Sequence, residues 1–173
     1  MEINFEKIDK LKINVSRRKK FLAVGRLTKQ KDPLLVIKAF STTKFVNSAT
    51  LTIVGDGPLH KEVSNLCDNI SSKSQINRIS HCKDIFSLMQ AHDTLVCTSQ
   101  WEGLPNVVME ALQAGLHVVV PTYCLGAVEL IKGLENTSTF DNIDALKLRL
   151  KLIPRLHSVF LRYTELLILH HKH

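Results

Sequence analysis

Aromatic residues are scarce: they make up 6% of the 173 residues, with one Trp and two Tyr. With no zinc-finger spacing, RRM signature or helix-turn-helix signature either, nucleic acid is the weakest of the candidate partners. The four cysteines, Cys67, Cys82, Cys97 and Cys124, are scattered, with no C-x-x-C pair among them. That spacing argues against a disulfide frame or a zinc site and suits reduced thiols in a cytosolic protein. No apolar run approaches the roughly 20 residues that cross a bilayer. The first residues are charged and mixed, so no signal peptide is predicted. Internal repeats and low-complexity segments are also missing.

What is present reads as one globular domain. Apolar residues make up 45% of the sequence and the net charge is +7, which favours anionic partners such as nucleotide phosphates or acidic lipid. Short apolar runs alternate with helical patterns. Strands are predicted at Phe21–Gly25, Thr50–Val54, Ile76–Ser80, Thr94–Thr98, His117–Val120 and Ser138–Phe140. Helices are predicted at Pro33–Phe40, Asp84–Ala91 and Asp144–Ile153, and in the stretch from Pro105 that stops at Gly115. Pro121–Glu129 reads as a loop. This alternation predicts an α/β fold, a doubly wound parallel sheet of Rossmann-like type. Gly55-Asp-Gly-Pro58 allows a tight turn with positive φ, but it lacks the third glycine of a dinucleotide fingerprint and does not support a nicotinamide cofactor.

The organising stretch is Ser99-Gln-Trp-Glu-Gly-Leu-Pro-Asn-Val-Val-Met-Glu-Ala-Leu-Gln-Ala-Gly115. Gly103 suits a sharp turn, Pro105 the first position of a helix, and Gly115 its stop. No Ser, Thr or Asp precedes Pro105 to cap the first turn, which leaves its N–H groups and the helix dipole free for an anion. Glu102 in the loop and Glu110 in the helix bracket the turn. Spacing alone leaves both acids equally readable as solvated surface groups. The basic loop Arg26-Leu-Thr-Lys-Gln-Lys31 follows the first strand, at the end where open α/β sheets bind ligands. Surface charge is the competing reading, and Lys29 is expected to be solvated.

The string Glu102-Gly-Leu-Pro-Asn-Val-Val-Met-Glu110-Ala-Leu, ending in Gly-Leu-His-Val-Val-Val-Pro121, resembles the signature of family 4 glycosyltransferases. These are retaining enzymes of the two-domain GT-B fold. Gly25-Arg-Leu-x-x-Gln-Lys31 is similar to a second motif of that family, and the resemblance covers roughly Phe21 to Ile131. It implies that Arg26 and Lys31 contact the donor diphosphate, that Glu102 with its Gly103-Leu104 loop faces the donor sugar and phosphates, and that Glu110 holds the ribose hydroxyls. Gly25, Gly103, Leu104, Asn106 and Val107 are implied donor-binding positions. The donor would be a nucleotide-diphosphate sugar, UDP- or GDP-hexose, with no cofactor. No Asp-x-Asp metal motif is present, in keeping with metal-independent chemistry. Two departures stand out. Ser80-His81 replaces an expected glycine near the nucleotide base, and Ala127 replaces proline in a Gly-Pro-x-Glu motif whose Gly126 and Glu129 match. His81 is therefore expected to be a polar loop residue.

The resemblance also predicts the organisation: residues 1–20 as a linker-like lead-in, 21–153 as the donor-binding domain, and 154–173 as an amphipathic tail. An N-terminal acceptor-binding domain, or a partner chain, would complete the cleft. The tail stripe Leu156, Phe160, Tyr163 and Leu167 would pack on that missing domain, the rival readings being ordinary core and a basic membrane-surface helix. The expected location is cytoplasmic, with peripheral attachment at the inner face of the membrane as the variant. Two functions compete: the donor-binding half of a retaining hexosyltransferase, and a catalytically incompetent remnant or partner-dependent subunit. A nucleotide-sugar epimerase on the same fold fits the motif string less well.

Overall fold

The computed structural model describes residues 18–43, 49–70 and 75–153. The lead-in before Arg18 and the tail stripe from Leu156 lie outside the described residues. Among the described residues six strands alternate with six helices: β1 (Lys19–Val24), α1 (Pro33–Thr42), β2 (Ala49–Val54), α2 (His60–Asp68), β3 (Ile76–Ile79), α3 (Ile85–Gln90), β4 (Thr94–Val96), α4 (Asn106–Gln113), β5 (His117–Pro121), α5 (Leu125–Ile131), β6 (Thr137–Phe140) and α6 (Ile143–Leu152). The strands form one sheet in the order β3-β2-β1-β4-β5-β6, and every pairing is parallel. The fold is a doubly wound, Rossmann-like α/β domain.

Strand periodicity explains the two cores. Successive side chains of a strand point to opposite faces of the sheet. Phe21, Ala23, Leu51, Ile53, Val96 and Val119 therefore pack on one face with Val36, Ile37 and Phe40 of α1, Val63 of α2 and Leu146 of α6. Leu22, Val54, Leu95, Val118 and Val120 pack on the other with Met89 of α3, Val108 and Ala111 of α4 and Ala127 of α5. Both faces of the central strands are buried, which is why their sequences read as unbroken apolar runs.

Several boundaries differ from expectation. Lys19 and Lys20, expected as solvated lead-in, belong to β1 because the register opposite Ala49 and Thr50 continues the ladder. Lys19 reaches the Lys151 carbonyl at 2.9 Å, and the Lys20 N–H donates to Asp93 at 2.7 Å. Pro105 is the N-cap of α4 rather than its first residue. At the other end Ala114 is the C-cap, Gly115 takes φ 79, and the N–H groups of Gly115 and Leu116 donate to Leu112 and Ala111 at 3.0 and 2.9 Å. That is the double bond of a Schellman stop. The stretch predicted as a loop to Glu129 is helical from Leu125. Gly126 disguised it, because an early helix glycine reads as a breaker.

Two histidines couple the fold to pH, His92 by joining the end of α3 to β2 and His117 by joining β5 to β6. His92 is buried between the Leu88 carbonyl at 2.7 Å and the Thr52 hydroxyl at 2.9 Å. His117 pairs with Ser138 Oγ at 2.9 Å. Burial pushes both imidazoles below their ordinary value, assisted by Lys20 for His92 and by Arg149 for His117. Folding therefore disfavours their protonation, and below pH about 6.5 the unfolded chain binds more protons than the folded one. Stability should be level above that pH and fall as pH drops through the depressed values. The urea midpoint measured from pH 8 to 5 should show this fall, and His92→Gln should flatten it. An unchanged slope in the variant would remove His92 from the account.

Candidate functional site

Strand order reverses between β1 and β4, which pair directly through Phe21 with Thr94 and Leu22 with Leu95. The crevice outside the carboxyl ends of such a strand pair is where open α/β sheets take ligands. Here it is narrow, about 30 Å³, and its lining includes Gly25, Arg26, Lys31, Thr98 and Ser99.

The β1–α1 loop supplies the cations. Gly25 has φ 157, and a Cβ there would meet the Lys31 stem at 3.5 Å. The aliphatic part of Lys31 thus lies across Gly25 and carries its ammonium to Glu102, with which it forms an ion pair. The two side chains are 27% and 12% exposed, well sheltered from the solvent screening that weakens surface pairs. Arg26 is exposed, and among the described residues its guanidinium has no hydrogen bond or ion pair. Lys29 is exposed too.

Glu102, Gly103 and exposed Leu104 occupy the β4–α4 loop. Gly103 does not adopt a left-handed φ, and a Cβ on it would meet nothing within 4 Å. The close approach is made instead by Gly126 of α5, whose Cβ would fall 2.2 Å from the Gly103 carbonyl oxygen and 2.3 Å from that of Glu102. Position 126 must be glycine for the start of α5 to nest against the β4–α4 loop. Glu129 of the same helix turns outward to Lys132 at 3.7 Å.

Helix α4 opens without a side-chain cap. Its first intrahelical donors are Val108 and Met109, both to the Pro105 carbonyl. The N–H groups of Asn106 and Val107 have no acceptor among the described residues, so two orphan donors and the helix dipole remain for an anion. Val107 packs partly into the core, while Asn106 is exposed. Glu110 is half-buried one turn further along, and its carboxylate is unpaired among the described residues. Gly25, Arg26, Lys31, Glu102 and Gly103 are thus brought together at one edge, with α4 opening beside them.

Four polar residues escaped the sequence reading. Asp32 caps α1, accepting from the Leu35 N–H at 3.2 Å. Gln100 donates its side-chain amide to Asp32 at 2.9 Å. Thr98 Oγ1 lies 2.9 Å from the carbonyls of both Lys31 and Asp32. Gln30 donates to the Trp101 carbonyl at 2.9 Å. Asp32 was findable, since an acid directly before Pro33 is a helix-start signal. Gln30 stands in the Gly25–Lys31 motif without an assigned role, and Thr98 and Gln100 carry no local signal.

On the opposite wing of the same edge, Ser80 and His81 are exposed loop residues, as expected of His81. The Gly55–Pro58 turn has its two glycines at φ 145 and 157. A profile for glycosyl transferases group 1 matches residues 4–155. The chain belongs to that family. Relatives include an uncharacterized glycosyltransferase of Methanocaldococcus jannaschii, 34% identical over 126 residues, covering 72% of this chain and 30% of the relative. Another is the Escherichia coli UDP-Gal:alpha-D-GlcNAc-diphosphoundecaprenol alpha-1,3-galactosyltransferase, 32% identical over 104 residues, or 58% of this chain and 27% of that enzyme. Anabaena HepE, solved in complex with UDP, superposes with a TM-score of 0.70 at 21% identity, over 88% of this chain and 44% of HepE. The fold is shared with GT-B glycosyltransferases. The chain spans less than a third of the length of these two curated relatives. Among the described residues, no helix is long and apolar enough to cross a membrane.

Proposed function

We propose that this chain is the donor-binding half of a retaining hexosyltransferase, which moves a hexosyl group from a nucleotide-diphosphate sugar to a saccharide or lipid-linked acceptor. The observation that carries the reading is the meeting of Lys31 and Glu102 beside Arg26 at the switch point, with the uncapped start of α4 next to them. As the glycosidic bond breaks, negative charge builds on the leaving diphosphate. Fixed cations and backbone N–H groups stabilise that charge without reorganising. Arg26, Lys31 and the first N–H groups of α4 take this role. Glu102 faces the donor sugar and Glu110 holds the ribose. Gly25, Gly103, Leu104, Asn106 and Val107 shape the donor site. The nucleotide sugar is a substrate, and no resident cofactor is invoked.

UDP in the HepE structure and the UDP-galactose and undecaprenol-linked substrates in the name of the Escherichia coli relative support this class of donor and acceptor. A lipid-linked acceptor would place the protein at the inner face of a membrane, on the cytoplasmic side. Catalysis also needs the acceptor held in reacting geometry, a contribution that reaches roughly 7–11 kcal/mol and requires the facing wall of a cleft. An N-terminal acceptor-binding domain or partner chain would supply that wall. Calorimetric titration of the 173-residue chain with UDP and GDP should show saturable, magnesium-independent binding and no sugar transfer. A folded sample that takes up neither nucleotide would end the proposal. Robust transfer by the chain alone would overturn its second half.

A further inference from the structure

We propose that Asp32 and Gln100 are a positioning pair that sets the spacing of Lys31 and Glu102, and through it the affinity for a diphosphate. The ligand in this statement rests on the nucleotide-sugar reading; the geometry does not. Asp32 is the single non-glycine among the described residues with a left-handed φ, at 44°. That conformation is disfavoured for a residue with a side chain, though Asp and Asn tolerate it best. It is also a carboxylate next to a site that collects cations, where it works against an anion. A cap alone does not call for this carboxylate, because Asn would cap as well at a left-handed φ without the charge.

The left-handed turn acts through placement. It sends Oδ1 to the Leu35 N–H while Oδ2 takes the Gln100 amide at 2.9 Å. It also brings the Lys31 and Asp32 carbonyls side by side onto Thr98 Oγ1. The clamp is completed by the Gln100 N–H on the Gln30 carbonyl at 2.7 Å and by Gln30 Nε2 on the Trp101 carbonyl. Lys31 is adjacent to Asp32, and Glu102 lies two residues beyond Gln100. The pair therefore braces the backbone at the roots of both charged groups.

Trp101 is the only tryptophan in the chain and lies inside the clamped loop, 63% exposed. Its fluorescence anisotropy reports the clamp without any ligand. Asp32→Gly suits the left-handed φ but drops the tie. Gln100→Ala drops it from the other side. Asp32→Asn keeps the cap, and with the Gln100 amide turned over it keeps the tie. Asp32→Gly and Gln100→Ala should each lower Trp101 anisotropy and weaken UDP binding about 10-fold, the loss of one charge-assisted hydrogen bond. Uridine binding should not change. The double variant should be no weaker than either single one. Asp32→Asn should keep parent-like anisotropy and bind UDP at least as tightly as the parent, because it keeps the tie and removes a charge that opposes the anion. Parent-like anisotropy and UDP affinity in both Asp32→Gly and Gln100→Ala would overturn the proposal and leave the nucleotide reading standing. Equal losses for UDP and uridine would also overturn it, as the sign of a general loosening. If the parent binds neither UDP nor GDP, the nucleotide reading falls, and the clamp is judged by Trp101 alone, unchanged anisotropy being fatal to it.

Discussion

Gly55→Ala should be among the most destabilising single-methyl additions in this domain, at about 3–5 kcal/mol, or a fall in Tm of roughly 10–15 °C. Two costs coincide there. The residue has φ 145, which side chains rarely adopt, and its Cβ would fall 2.0 Å from the Gly25 carbonyl oxygen. That oxygen belongs to the loop that carries Arg26 and Lys31, and the backbone on either side is held in the ladder. Gly25 N–H donates to Val54 at 3.0 Å and Gly55 N–H to Ile79 at 2.9 Å, so neither can step aside without breaking sheet bonds. Two other glycines separate the costs. Gly133 has φ 78 and open space around its Cβ position, so Gly133→Ala should show strain alone, about 1 kcal/mol. Gly126 has no left-handed φ but faces the Glu102 and Gly103 carbonyls. Gly126→Ala should therefore push the β4–α4 loop and weaken UDP binding. Thermal unfolding of the three variants checks the ordering. A Gly55→Ala protein within about 1 kcal/mol of the parent would show that the two loops are not held at this distance.

Lys31→Ala should weaken UDP binding about 10- to 100-fold while leaving uridine nearly unaffected. The direct loss is one charge-assisted contact to phosphate, worth roughly 1.5–3 kcal/mol. A second effect follows from the pairing seen here. Glu102 is only 12% exposed and is neutralised by Lys31. Removing the ammonium leaves a poorly solvated carboxylate facing the diphosphate, and that repulsion adds to the loss. Arg26 is exposed and shields no acid, so Arg26→Ala should cost diphosphate binding less, near the lower end of the same range. Glu102→Gln should act in the opposite sense in the absence of sugar, tightening UDP a few-fold by releasing Lys31 from its partner. In the double variant Lys31→Ala/Glu102→Gln, part of the lost affinity should return, and this departure from additivity measures the coupling. Titration calorimetry with UDP and uridine reads all four variants. If Lys31→Ala lost both ligands equally, Lys31 would be supporting the fold and not the phosphates.

Burial sets a further boundary on the chemistry of the site. Cys97 follows β4 directly and Cys124 is the N-cap of α5; both are buried, and Cys124 lies close to Glu102. Desolvation pushes the Cys124 thiol upward and outweighs the opposing hydrogen bond with the Ala127 backbone. A thiol held protonated and out of solvent is a poor nucleophile, so Cys124 serves the core and not the chemistry of the site.

Much of this was legible in the residues. Alternating apolar runs specified parallel strands, since only a strand buried on both faces can be apolar at every position. Gly115 announced the end of α4, and Gly55 and Gly57 announced a turn with positive φ, because each calls on a conformation peculiar to glycine. The resemblance across Glu102–Leu112 and Gly25–Lys31 named Arg26, Lys31 and Glu102, which the structure places at one sheet edge. Local pattern had no hold on which strands are neighbours. Lys31 and Glu102 are 71 positions apart, and they meet because β3 to β4 crosses back over the sheet and seats β4 against β1. Tertiary structure alone made Gln100 a partner of Asp32, and it alone made Gly126 obligatory by laying it on the Glu102 and Gly103 carbonyls. Propensity and periodicity act over a few residues, whereas ladder pairing and loop packing are chosen by the whole core at once, so contacts of that range are written in no single stretch of the chain.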